Sequence, residues 1–276
     1  MIKDVVVNLS VRQHGGAALD YAVSLAATFG AHLAGIAFVY DPIVPVSGAG
    51  YIPADVIDRQ QADSEAAAQA VIRRFDAAVA RAGLSAETQT LGASFAGAGD
   101  QFGRVARRFD LAVLDQAEAD SNAVEELIAE TTLFESGRPV IVVPYIHRAP
   151  FKRDRVMVCW DGSRPAARAI GDSIPLLAKD SAVELVIVAD ERGKETEIAG
   201  ADLGEHLARH GLEVAVERLA TGGVDIGDAL LSHAADTGAD LLVMGGYGHS
   251  RLRQFVLGGV TSTILRSMTV PVLMAH

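Results

Sequence analysis

The chain repeats itself. Val5-Val6-Val7-Asn8-Leu9-Ser10 is matched by Val156-Met157-Val158-Cys159-Trp160-Asp161, and each run leads into an Ala-rich helical stretch, Ala17 to Phe29 and Ala166 to Ala178. A second apolar strand follows in each case, Leu33 to Val39 and Val183 to Val188. The two halves also end alike. Phe109-Asp110-Leu111-Ala112-Val113-Leu114 parallels Ala239-Asp240-Leu241-Leu242-Val243-Met244, and Pro139-Val140-Ile141-Val142-Val143 parallels Pro271-Val272-Leu273-Met274. A period of about half the chain means duplicated domains, not a solenoid of short units. The expected division is 1–146 and 153–276, with the basic, proline-containing stretch from Tyr145 to Asp154 as linker.

Within each half, strands alternate with helices, and the strands are nearly continuous in Val, Ile and Leu, as both-faces-covered strands must be. This predicts an α/β protein made of two tandem doubly wound, Rossmann-like, parallel five-stranded sheets with helices on both faces. Ligands on such sheets bind beyond the carboxyl ends of the strands, where the strand order reverses. The offset between the halves is about 150 residues at the start and about 130 towards the end, so the first half carries roughly twenty extra residues, an insert at about 40–62. Its loop, from Tyr40 to Pro53, is long and apolar. It reads as a flap over its own domain or the partner domain, or else as a pocket lid or dimer contact.

A net charge of −11 argues against nucleic acid or an anionic membrane as partner. The single cysteine, Cys159, excludes an intramolecular disulfide and suits a reducing compartment. The N-terminal run is broken by Asn8, Ser10 and Arg12, reading as a strand and not a signal peptide, and no apolar run nears the ~20 residues of a membrane span. A cytoplasmic location is the expectation.

The chemistry concentrates at 244–261. A strand ending in Met244 runs into Gly245; Gly248 follows, and Gly258-Gly259 opens a helical pattern containing Val260 and Thr261. Glycines beyond a parallel strand admit an anion to backbone N–H groups, and a following helix adds its positive dipole end. The spacing matches neither a P-loop nor Gly-x-Gly-x-x-Gly. About 84 residues earlier, Asp161-Gly162-Ser163 closes the first strand of the same half.

The repeat, the Gly-x-x-Gly-x9-Gly spacing and the Asp-Gly-Ser together resemble a tandem protein of the universal stress family, over nearly the whole chain. That resemblance implies an adenine-nucleotide α-hydrolase-like fold and ATP, with or without Mg2+, in the second half. It implies phosphate contacts from the backbone of Gly245, Gly248, Gly258, Gly259 and Val260, with Asp161 at the adenosine end. Cys159, Trp160 and Val188 resemble the family's adenine wall, with Met244 at the strand end and His249 in the loop near phosphate charge. Arg251 and Arg253 lie in the same loop and read first as solvated. One departure is Gly259, where the family has Ser or Thr; Thr261 and Ser262 lie in the next turn.

The first half lacks this equipment. Asp115, Gln116, Ala117 and Glu118 stand in place of Gly245 to Gly248, and Ser10 in place of Asp161. Two carboxylates there oppose a phosphate. Other signals read as structural: Gly97-Ala98-Gly99 as a helix start, Cys159 as a buried thiol, His206 and His210 as a solvated helix face, and Asp225 and Asp228 as caps. The short, apolar last strands, 140–143 and 270–274, would be open edges, and pairing them within one chain or between chains would cover them. The expected protein binds an adenine nucleotide in a regulatory or stress-resistance role, as a homodimer or an intramolecular pseudo-dimer, with no nucleic acid or membrane partner. Two alternatives stay open: a nucleotide-free dimeric interaction or scaffold protein, and a weak ATPase. No catalytic or metal-ligating set is assembled, and any hydrolysis is expected to be slow and incidental.

Overall fold

The computed structural model describes residues 1–11, 16–42, 53–118, 124–189, 197–247 and 259–276. In the first half, β1 (Asp4–Asn8), α1 (Ala17–Phe29), β2 (His32–Tyr40), α2 (Ala54–Ala82), β3 (Ala86–Ala93), α3 (Ala98–Ala106), β4 (Leu111–Asp115), α4 (Val124–Glu135) and β5 (Val140–Val143) alternate. The second half continues with β6 (Arg155–Trp160), α5 (Arg164–Ser173), β7 (Ala182–Ala189), α6 (Glu197–Arg209), β8 (Glu213–Ala220), α7 (Ile226–Thr237), β9 (Leu241–Gly245), α8 (Gly259–Ser267) and β10 (Val272–Ala275).

The strands form one sheet, ordered β3-β2-β1-β4-β5-β10-β9-β6-β7-β8. Pairing is parallel within each half. Across the seam β5 and β10 run antiparallel, with Ile141 opposite Leu273. The open edges expected at the last strands are therefore closed against each other inside the chain. The outer edges, β3 and β8, are mostly exposed and carry Glu87, Gln89, Glu213, Glu217 and Arg218, charged and polar side chains that discourage further strand addition.

Alternation along the strands splits the core between two faces. Val5, Val7, Val156, Val158 and Leu273 pack with Leu25 of α1, Phe75 of α2, Ile170 of α5 and Leu207 of α6. Val6, Met157, Leu242, Met274 and Val272 pack with Phe102 of α3, Ile128 of α4, Leu230 of α7 and Ile264 of α8. Both layers cross the seam. The linker is also tied down: Phe151 is buried against Tyr21 and Phe29, and its N–H donates to the Ser24 hydroxyl of α1 at 2.7 Å.

Most of the extra length of the first half is helix. α2 has 29 residues against 13 in α6. Its buried positions, Ala68, Val71, Phe75, Ala78 and Val79, lie only in the second part. The earlier turns stand clear of the core, supported by i,i+4 pairs Arg59–Asp55 and Gln61–Glu65. Residues 43–52 of the insert lie outside the described residues.

Gln116 fastens the halves together. Its Nε2 donates to the carbonyls of Leu265 and Arg266 at the end of α8, at 2.9 and 3.0 Å, while its Oε1 accepts from the Tyr145 N–H at 3.3 Å. Because both core layers and one sheet cross the seam, urea should unfold the chain in a single transition. Gln116→Leu, leaving these groups unpaired, should lower the unfolding free energy by about 1–3 kcal/mol; two separate transitions in the parent would contradict the shared core.

Candidate functional site

In the second half the strand order reverses between β6 and β9, which are neighbours. Their carboxyl ends carry the two motifs separated in sequence: Asp161-Gly162-Ser163 after β6, and Gly245 at the last position of β9. The fold thus brings Asp161 and Gly245 to adjoining strand ends at the switch point, where ligands of such sheets bind.

The β6–α5 turn is set by local chemistry. Asp161 is exposed and its Oδ1 accepts the Ser163 N–H at 2.9 Å. Gly162 sits at φ +75°, a left-handed conformation that disfavours a side chain. Ser163 caps α5, its hydroxyl accepting from the Ala166 N–H at 3.2 Å. Gly245 is required by packing: a Cβ there would run into the backbone nitrogen of Ala166 and come within 2.7 Å of the Pro165 carbonyl carbon.

Strand alternation divides the other expected site residues. Cys159, Val188, Met244 and Val260 lie with the α7/α8 layer. Trp160 lies with the α5/α6 layer, and its indole nitrogen is buried without a hydrogen-bond partner among the described residues. Burial first, then the nearby carboxylates of Asp161 and Glu184, push the Cys159 thiol up to about 12, so it stays protonated. Gly248, His249, Gly258, Arg251 and Arg253 lie outside the described residues. Beyond them α8 opens on Gly259, which is exposed and meets no atom of the described residues where a side chain would project. Thr261 is buried, and its hydroxyl accepts the Tyr247 N–H at 3.2 Å, bridging the two ends of the glycine stretch. Ser262 accepts from Arg266.

Tyr247 was invisible to motif reading, being merely an aromatic residue between two motif glycines. It is buried at φ +57°, uncommon for a residue with a side chain. Its phenol donates to Glu130 of α4 at 2.8 Å, and its ring lies 4.8 Å from that of Phe134. Burial, then Glu130, pushes the phenol upward and keeps its proton for that bond. The first half thereby holds the glycine stretch of the second.

The corresponding position in the first half is filled differently. Asp115 ends β4 as Gly245 ends β9. It is buried, and its Oδ1 accepts the Ala18 N–H at 2.9 Å, capping α1 from the strand side. Ser10, the counterpart of Asp161, donates to Glu125 at 3.4 Å. Burial lifts the Asp115 carboxyl from 3.8 to about 6, opposed by the N–H groups of Ala18 and Gly16. Elsewhere, Asp225 caps α7 by accepting the Gly227 N–H, and the His206 and His210 rings meet edge to face at 4.9 Å. Among the described residues no group of three or more His, Cys, Asp or Glu is placed to hold a metal ion, and no helix is long and apolar enough to cross a membrane.

Two outcomes follow from these strand ends. Gly245→Ala should destabilise the chain by about 1–3 kcal/mol in denaturant unfolding, since backbone must shift to admit the methyl. A carboxyl with a raised folded pKa binds more protons in the folded state, so Asp115 favours folding at low pH and loses that contribution as pH rises from about 4 through about 6. Asp115→Asn should therefore gain stability relative to the parent between about pH 4 and pH 7.5, by up to roughly 3 kcal/mol; a difference independent of pH would contradict this.

Comparison with known proteins agrees with this geometry. The Universal stress protein family matches residues 152–276. Among solved structures, a universal stress protein from Archaeoglobus fulgidus DSM 4304 superposes with a TM-score of 0.72 at 17% identity, covering 99% of this chain and 97% of its own. A functionally unknown protein from Pseudomonas aeruginosa PAO1 gives 0.61 at 13% identity, covering 99% and 92%. No curated protein matches the chain. Residues 152–276 thus match the model of the Universal stress protein family, and the chain along its whole length takes the fold of the Archaeoglobus fulgidus universal stress protein.

Proposed function

We propose that this chain is a universal-stress-type regulatory protein that binds ATP, or another adenine nucleotide, in its C-terminal domain, residues 153–276. The observation that carries the reading is the meeting of Asp161-Gly162-Ser163 and Gly245 at adjoining strand ends of the switch point. In this reading, backbone N–H groups of Gly248, Gly258, Gly259 and Val260 hold the phosphates, with Thr261 and His249 beside them. Asp161 accepts hydrogen bonds from the ribose, and Cys159, Val188 and Met244 supply an apolar floor for the base. Trp160, on the opposite face of β6, supports the strand end from behind. Any Mg2+ is carried by the phosphates, because the motifs supply no carboxylate dedicated to it. Residues 1–146 form a degenerate domain without nucleotide: the position of Gly245 is occupied there by the buried Asp115 carboxylate.

Isothermal titration of the intact chain with ATP, with and without Mg2+, should show one site per chain at sub-millimolar affinity. Gly248→Val should abolish it by blocking backbone approach. Gly259→Ser should tighten it severalfold, roughly the value of one added hydrogen bond to phosphate, because none of the described residues fills the space its side chain would take. No binding by the parent in either condition overturns the reading and favours a nucleotide-free interaction protein.

A further inference from the structure

The carboxyl ends of the first half's strands open on a cavity of about 390 Å³, within the range of small-molecule pockets, about 300–1,000 Å³. It lies beside the switch point between β1 and β4, between the strand ends, the early turns of α2 and the start of α4. One wall is aromatic: the Tyr40 and Phe95 rings stack with centroids 4.6 Å apart and planes 2° from parallel. That wall is held in place, because the Tyr40 N–H donates to the Ser64 hydroxyl of α2 at 2.7 Å. Most of the remaining lining is apolar, from Val11, Pro42, Ala67 and Val124, and its charge comes from Asp41, Asp63 and Glu125, with no lysine or arginine among the described residues that line it.

A site with this lining repels phosphate and carboxylate ligands. Its carboxylates attract positive charge, and the stacked aromatic pair gives an apolar wall for a flat ring to pack on. The exposed turns of α2 that supply Asp63 and Ser64 contribute little to the core, so their placement over the strand ends serves the cavity. We propose that this cavity binds a small organic cation with a flat apolar body, an aromatic amine, with the ring against Tyr40 and Phe95 and the ammonium group between Asp41 and Asp63. The site is in the other half from the nucleotide site and stands or falls independently of it.

The full-length chain is titrated with three ligands of one shape: tryptamine as cation, tryptophol as neutral isostere and indole-3-acetate as anion. Tryptamine should bind saturably at one site per chain. Tryptophol should bind at least about tenfold more weakly, and indole-3-acetate not at all up to about 5 mM. Asp41→Asn with Asp63→Asn should weaken tryptamine about tenfold or more without altering ATP titration. Asp63 is exposed, so the single variant Asp63→Asn keeps the charge test available if the double variant loses its fold. Phe95→Leu should weaken tryptamine and tryptophol alike. The proposal is overturned if tryptamine shows no saturable binding, if the neutral or anionic ligand binds as well as the cation, or if the amide variants bind tryptamine like the parent.

Discussion

Three residue pairs hold two sheets as one: Val142 with Val272, Ile141 with Leu273, and Val140 with Met274. All six side chains are almost wholly buried. A slip of one residue at this seam would turn each of them to the opposite face, so the register is fixed by both core layers at once. The antiparallel join also brings α4 and α8 together over one face, where Gln116 and Tyr247 reach across to the other half. Side chains one position apart in the equivalent loops, Gln116 and Tyr247, thus fasten the halves together.

Equivalent strand ends show two solutions to one problem, the open N-terminus of the following helix layer. In the second half a serine from the turn caps α5, and the strand contributes a glycine that lets the helix come close. In the first half the turn supplies no serine at that position, and the strand sends in a carboxylate instead. The aspartate that stands where the second half has Gly245 is therefore also part of the capping of α1, and replacing it with glycine would remove that cap.

Much of the fold was legible because buried parallel strands write long Val/Ile/Leu runs and the chain writes them twice. The shortness and apolarity of 140–143 and 270–274 indicated edges needing a partner, but an apolar strand carries no mark of whether that partner is in the same chain. The site was legible only as motif glycines and an aspartate. Trp160 and Cys159 fall in opposite core layers, as period-two alternation along β6 requires. The role of Tyr247 had no sequence signal, since its partners Glu130 and Phe134 lie more than a hundred residues away on another helix. Gln116 was legible only as a missing glycine, because a side chain's reach to distant carbonyls leaves no periodicity.

Helix α4 touches two places at once. Val124 and Glu125, at its start, line the cavity of the first half, while Glu130, Leu133 and Phe134 bear on Gly246 and Tyr247 of the second. These contacts lie within one rigid element of 12 residues. One helix of the first half thus forms a wall of that half's cavity and the backing of the second half's Gly246–Tyr247 turn, so its sequence answers to both.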